Sequence, residues 1–155
     1  MRRLLAIALT AAAAPDEGYL FVTNRGDEAV ASARSLRRVA PAANITFVSD
    51  AATLRDVGPS LSVFDVVIRA EKAFPDLDVH DSQGFRLQKL RGGLASPYSR
   101  TIFLDSDTRA CKDPGATLFP LLRTTDVACV WGGRGNHPGA SAGVLAFSRS
   151  ARSNA

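Results

Sequence analysis

The run Thr101-Ile102-Phe103-Leu104 is short, apolar and β-prone, and it stops abruptly at Asp105-Ser106-Asp107-Thr108. Such a run predicts a fully buried strand, with the two carboxylates placed where the strand ends. In an open parallel α/β sheet, ligands bind in the crevice at the carboxyl ends of the strands. A pair of carboxylates there can hold a divalent cation that neutralises a diphosphate. Asp105 and Asp107 are therefore a candidate platform of that kind. On the triplet alone, solvated loop aspartates that cap the next helix are the alternative.

The flanking sequence supplies the sheet. Tyr19 to Thr23 is a second buried-strand run, ended by the turn cluster Asn24-Arg25-Gly26. Asp27 and Glu28 follow, then Val30, Ala33, Leu36 and Ala40 at helical spacing, with Arg34, Arg37 and Arg38 near the end. Acid at the first turn and base at the last complement a helix dipole, so these arginines are read first as helix residues and only second as phosphate ligands. Pro41 stops the helix, and Asn44 to Asp50 gives the next strand. Asp50 has two readings: a cap for the short helix Ala51 to Val57, or a partner for a ribose hydroxyl. Gly58-Pro59-Ser60 breaks the chain before a strand at Phe64 to Ile68. This alternation predicts an α/β domain, a Rossmann-like mostly parallel sheet with flanking helices.

Glu71 to Ser82 has no clear period and reads as a loop, and the spacing of His80 with Asp78 and Asp81 fits no familiar metal site. Gln83 to Ala95 carries Phe85, Leu87, Leu90 and Leu94 near one helical face. Running antiparallel to the Thr101 strand, that helix would bring the Lys89 amine opposite a phosphate at the carboxylate end; a solvent-facing lysine is the alternative. Ala116 to Leu122 reads as a short helix, Asp126 to Trp131 as a strand, and Ala142 to Phe147 as the last strand. The glycines between Gly132 and Gly139 lack the following helix that a dinucleotide fingerprint requires.

With 155 residues, 46% of them apolar and 22% charged, the chain has the balance of one folded domain. Its net charge of +4 comes with scattered arginines, which suits an anionic small molecule and not nucleic acid. Met1 to Ala14 has Arg2 and Arg3, an apolar stretch and four final alanines, the pattern of a secretory signal peptide too short to span a bilayer. That predicts the secretory pathway, Golgi lumen or secreted. A misassigned start or an organelle presequence is the other reading, with a cytoplasmic location as the alternative. The fold is expected from about Gly18 to residue 150. Cys111 and Cys129 imply no disulfide framework, and buried free thiols are the expectation.

Several stretches share a spacing with one family. Thr23-Asn24 closes the opening strand, Ser35-Leu36-Arg37 lies in its helix, and Leu87, Lys89 and Leu90 lie in a later helix. Tyr98-Ser99-Arg100 leads into the strand and Asp105-Ser106-Asp107-Thr108, and Ala142-Gly143-Val144 opens a final strand. Together these resemble the nucleotide-diphosphosugar-dependent glycosyltransferases of the GT-A fold, the glycogenin-like branch above all. The resemblance implies a hexosyltransferase-type enzyme in which Asp105 and Asp107 approach a Mn2+ or Mg2+ ion bridging the donor diphosphate. It also implies that Thr23 and Asn24 line the nucleoside, Ser106 meets the ribose through its backbone and Lys89 faces the phosphates. Oxygen ligands suit such hard cations. Ser141 stands where the family has asparagine, and the aromatic after Thr-Asn is missing. The family's downstream half, with its last metal ligand, finds no counterpart before Ala155, so the match is to a truncated domain, expected to bind donor but to turn over poorly. His137 does not occupy that ligand's position. An inactive or donor-binding relative is the non-enzymatic alternative. A haloacid-dehalogenase-type phosphatase, with Asp105 as nucleophile and Asp107 as acid/base, is the other enzyme class. That class carries its motif on the first strand, whereas three strand runs precede it here.

Overall fold

The computed structural model describes residues 15–75, 95–132 and 139–148. Met1 to Ala14, read as a leader, His80, Lys89 with the helix expected around it, and His137 lie outside the described residues. In chain order come β1 (Glu17–Val22), α1 (Gly26–Val39), β2 (Ile45–Ser49), α2 (Ala51–Val57), a 3-10 segment (Gly58–Val63) and β3 (Val66–Arg69). A single turn, α3 (Ala70–Ala73), precedes β4 (Arg100–Leu104), α4 (Gly115–Leu121), β5 (Val127–Gly132) and β6 (Gly139–Ser148).

The strands form one sheet in the order β3-β2-β1-β4-β6-β5. Pairings β3–β2, β2–β1 and β1–β4 are parallel, whereas β6 lies antiparallel to both β4 and β5. The sheet is thus mixed, which corrects the expectation of a mostly parallel one at its β6 side. Parallel pairing needs crossovers, and α1 and α2 with the 3-10 segment supply them between β1, β2 and β3.

Alternation along the strands divides the core. Tyr19 and Phe21 of β1, Ile45 and Phe47 of β2, and Ile102 and Leu104 of β4 pack with Ala29, Val30, Ala33 and Leu36 of α1. Leu20, Val22, Val48 and Phe103 point the other way, towards Ala70 and Phe74. Period-2 side-chain direction explains why uninterrupted apolar runs were needed: both faces are covered. Phe64 stacks on Phe47 with ring centroids 4.7 Å apart, and full burial of side chains this size contributes about 1.5–3 kcal/mol each.

Asp16 and Glu17 both pair with Arg100 at the neighbouring strand's start. Three expectations need adjusting. Cys111 and Cys129 are free but exposed, since one lies in the turn after the acidic loop and the other on the outermost strand. Ala70–Ala73 forms a helical turn that overlaps the start of the stretch read as a loop, Glu71 to Ser82. Arg37 does more than complement a dipole: its guanidinium donates to the carbonyls of Ala43 and Val63 and to Asp65, and Asp65 in turn accepts the Ile45 N–H at 2.7 Å.

Candidate functional site

The strand order fixes where a site can form. From β1 the chain steps through β2 to β3, and β4 lies on the opposite side of β1. The carboxyl ends of β1 and β4 therefore flank a topological switch point, the crevice in which open α/β sheets bind ligands.

At the end of β1, Thr23 is buried, and its hydroxyl accepts the Arg25 N–H at 3.0 Å, which closes a tight turn into α1. The Thr23 carbonyl accepts the Ser49 hydroxyl at 2.6 Å, so this turn is also tied to β2. Asn24 is exposed and lines a cavity of about 380 Å3 together with Arg25, Asp27, Glu28, Thr53 and Asp56. Gly26 opens α1 against α2: a Cβ there would lie 2.2 Å from Val57 Cγ2. The wall of this cavity thus depends on a glycine at the crossing.

Asp50 resolves its two readings. One carboxylate oxygen accepts the N–H groups of Ala52 and Thr53, both at 2.9 Å, and the other accepts the Thr53 hydroxyl at 2.7 Å. It is the N-cap of α2. Burial pushes its pKa up, but the hydrogen bonds from Thr53 and Ala52 outweigh this and hold the carboxyl below the ordinary aspartate range.

At the end of β4, the Asp105 N–H donates to the Gly143 carbonyl at 2.9 Å, and Leu104 pairs with Val144. The Ala142-Gly143-Val144 stretch singled out in the sequence therefore anchors the acidic loop by its backbone. Asp105 is half-buried and Asp107 exposed. Asp107, Ser106, Thr108 and Arg109 line a second cavity, of about 150 Å3, with Glu28, Ala31 and Ser32 of α1. Glu28 borders both cavities.

Sequence reasoning missed the residues that hold this loop. Ser106 Oγ donates to Glu28 Oε2 at 3.0 Å, the Ser32 and Thr108 hydroxyls meet at 3.0 Å, and the Ala110 N–H donates to Ser35 Oγ at 2.9 Å. Residues 28, 32 and 35 share one face of α1, and 106, 108 and 110 alternate along the loop. The signal available was a polar stripe on an otherwise apolar helix face. Thr108 also turns its hydroxyl onto the Asp105 carbonyl at 2.7 Å.

Among the described residues no cluster of three or more His, Cys, Asp or Glu side chains could enclose a metal ion. An ion held by one or two protein carboxylates, with phosphate and water completing its shell, needs no such cluster. The switch point thus brings Thr23 and Asn24 to one side and Asp105, Ser106 and Asp107 to the other, with Glu28 between.

No protein-family model and no curated protein matches the chain. Among solved structures it is similar to the galactosyltransferase LgtC in complex with donor and acceptor sugar analogues, at 16% identity and a TM-score of 0.50, over 84% of this chain and 57% of that one. An active-site mutant of LgtC matches at 15% identity, with the same score and coverage. The chain therefore spans 57% of the length of LgtC, and at this identity the likeness is one of fold: an α/β fold with a mixed sheet and flanking helices.

Proposed function

We propose that the chain handles a nucleotide-diphosphosugar donor as a metal-dependent glycosyltransferase of the GT-A type. One observation carries the reading: Asp105-Ser106-Asp107 leaves β4 at the switch point, with Asp105 anchored to Gly143 and the Asn24 cavity on the other side of Glu28. Asp105 and Asp107 would hold Mn2+ or Mg2+, Thr23 and Asn24 would flank the nucleoside, and Ser106 would meet the ribose by its backbone. Lys89, outside the described residues, is proposed to face the phosphates. When bound, the cation supplies Lewis-acid neutralisation of the charge that develops on a departing nucleoside diphosphate. The protein's own share is positioning: a loop tied to Gly143 on one side and to α1 on the other.

Calorimetry of the full chain with uridine diphosphate, with and without Mn2+, tests this. Binding that requires the cation is expected; binding of equal strength in a chelator, or none at all, ends the proposal. Release of labelled sugar from a nucleotide-sugar donor then separates a transferase from a relative that binds donor only. A phosphatase would instead release phosphate from an aryl phosphate, an outcome disfavoured by the motif's place after the fourth strand in chain order among the described residues.

A further inference from the structure

The acidic loop is held by its neighbours as much as by its own strand. Its polar side chains alternate onto a single face of α1: Ser106 onto Glu28, Thr108 onto Ser32, and the Ala110 N–H onto Ser35. Ser35 Oγ in turn donates to the Ser32 carbonyl at 2.7 Å, so the stripe is itself cross-tied. Glu28 has the most consequential place in it. Its Oε2 accepts from Ser106, the residue between the two aspartates, while its Oε1 lies 3.4 Å from the Arg25 guanidinium at the mouth of the Asn24 cavity.

We propose that Glu28 is a positioning residue that fixes Ser106, and with it the spacing of Asp105 and Asp107, so that the nucleotide side and the cation side act as one site. This deepens the function proposed above and rests on it for its ligand, though the mechanical part does not. A first-turn glutamate would stabilise α1 through the helix dipole alone, with no effect on a distant loop. The hydrogen bond differs from that role in one testable respect: it needs an acceptor oxygen, not a charge. Glutamine keeps the acceptor and loses the charge.

The experiment uses the full chain with Mn2+ and uridine diphosphate as probes, beside amide hydrogen exchange of the segment from Ser106 to Ala110. Glu28→Ala and Ser106→Ala should each weaken Mn2+-dependent nucleotide binding by roughly five- to tenfold. The double variant should be no weaker than the weaker single variant, because both remove the same contact. Glu28→Gln should restore binding to within about twofold of the parent and should restore slow exchange in the loop. Exchange that is unchanged in Glu28→Ala overturns the inference whatever the ligand result. Single-variant losses that multiply, or a Gln variant as weak as Ala, overturn it as well. Loop exchange that responds to Glu28→Ala and recovers with Gln, in a parent chain that binds no nucleotide, would leave the clamp standing and sink the proposed function instead.

Discussion

The Asp105 N–H donates to the Gly143 carbonyl at 2.9 Å, which ties the first acid of the loop to β6, a strand that runs antiparallel to both of its neighbours. Backbone, not side chain, makes this tie. Asp107→Asn should leave stability nearly unchanged, within about 0.5 kcal/mol, as exposed substitutions usually do. Asp105→Asn keeps the backbone tie to Gly143. Both should abolish cation-dependent nucleotide binding. Paired denaturant melts and calorimetry check this, and full binding by either variant would remove the metal assignment from that residue.

A different balance governs the floor of the Asn24 cavity. Alanine at Gly26 would gain up to about 1 kcal/mol in helix propensity. Its Cβ would, however, sit 2.2 Å from Val57 Cγ2, and valine is stiff about χ1. Overpacking costs about 1–3 kcal/mol, so the clash outweighs the propensity, and Gly26→Ala should lower stability. In the Gly26→Ala background, Val57→Ala should cost less than it does in the parent chain. A thermodynamic cycle over the four proteins measures that coupling, and strict additivity would show that α1 and α2 do not meet as described.

The two halves of the site differed in how well the sequence announced them, and the cause is locality. Strands β1, β2 and β4 were legible because burial on both faces demands consecutive apolar residues, a pattern contained in each run itself. The turn after Val22, the cap at Asp50 and the helix from Ala51 to Val57 are likewise written in adjacent residues. Ser35 and Ala110, by contrast, are separated by 75 positions, and nothing near either residue marks the other as its partner. Strand direction suffers in the same way: β6 has the composition of a parallel strand but enters the sheet antiparallel, which only its pairing with β4 and β5 reveals. Glu28 was visible as a first-turn acid, and that true but incomplete role concealed its bond to Ser106.

Asp50 makes a prediction about acid. Its folded pKa lies below the ordinary value of 3.8, so the unfolded chain takes up the proton first as pH falls. The stabilisation is present in full above that ordinary value and is lost as pH falls through the folded one. Asp50→Asn retains a capping oxygen but removes the titration, so its stability should vary less than the parent's below about pH 4. Asp50→Ala should lose the cap at every pH, a cost of about 0.5–2 kcal/mol. Melts of the three proteins from neutral to acid pH distinguish these outcomes, and parallel pH profiles for the parent and the Asn variant would exclude Asp50 from the acid response.

At the opposite end of the sheet, the alkaline limit should come from the tyrosines, of which the chain has two. Tyr19 donates to Asp113 at 2.5 Å and accepts the Gly115 N–H at 2.9 Å. Burial, then the Asp113 carboxylate, push its phenol far above the usual value of 10. Tyr98 is pushed up too, chiefly by burial, although the hydroxyl bond from Thr46 at 2.8 Å works in the other direction. Because the phenolate is disfavoured in the folded state, the stabilisation is complete below pH 10 and is lost as pH rises from there towards the folded values. Neither phenol should show its ionisation band at its ordinary pH while the protein stays folded. Ionisation should instead appear together with loss of the near-ultraviolet dichroism, in one cooperative step. Tyr19→Phe should lower stability by about 1 kcal/mol at neutral pH and move that step upward, because one of the two groups that drive it is gone. A phenol that ionises near pH 10 in the folded parent would contradict the burial on which both shifts depend.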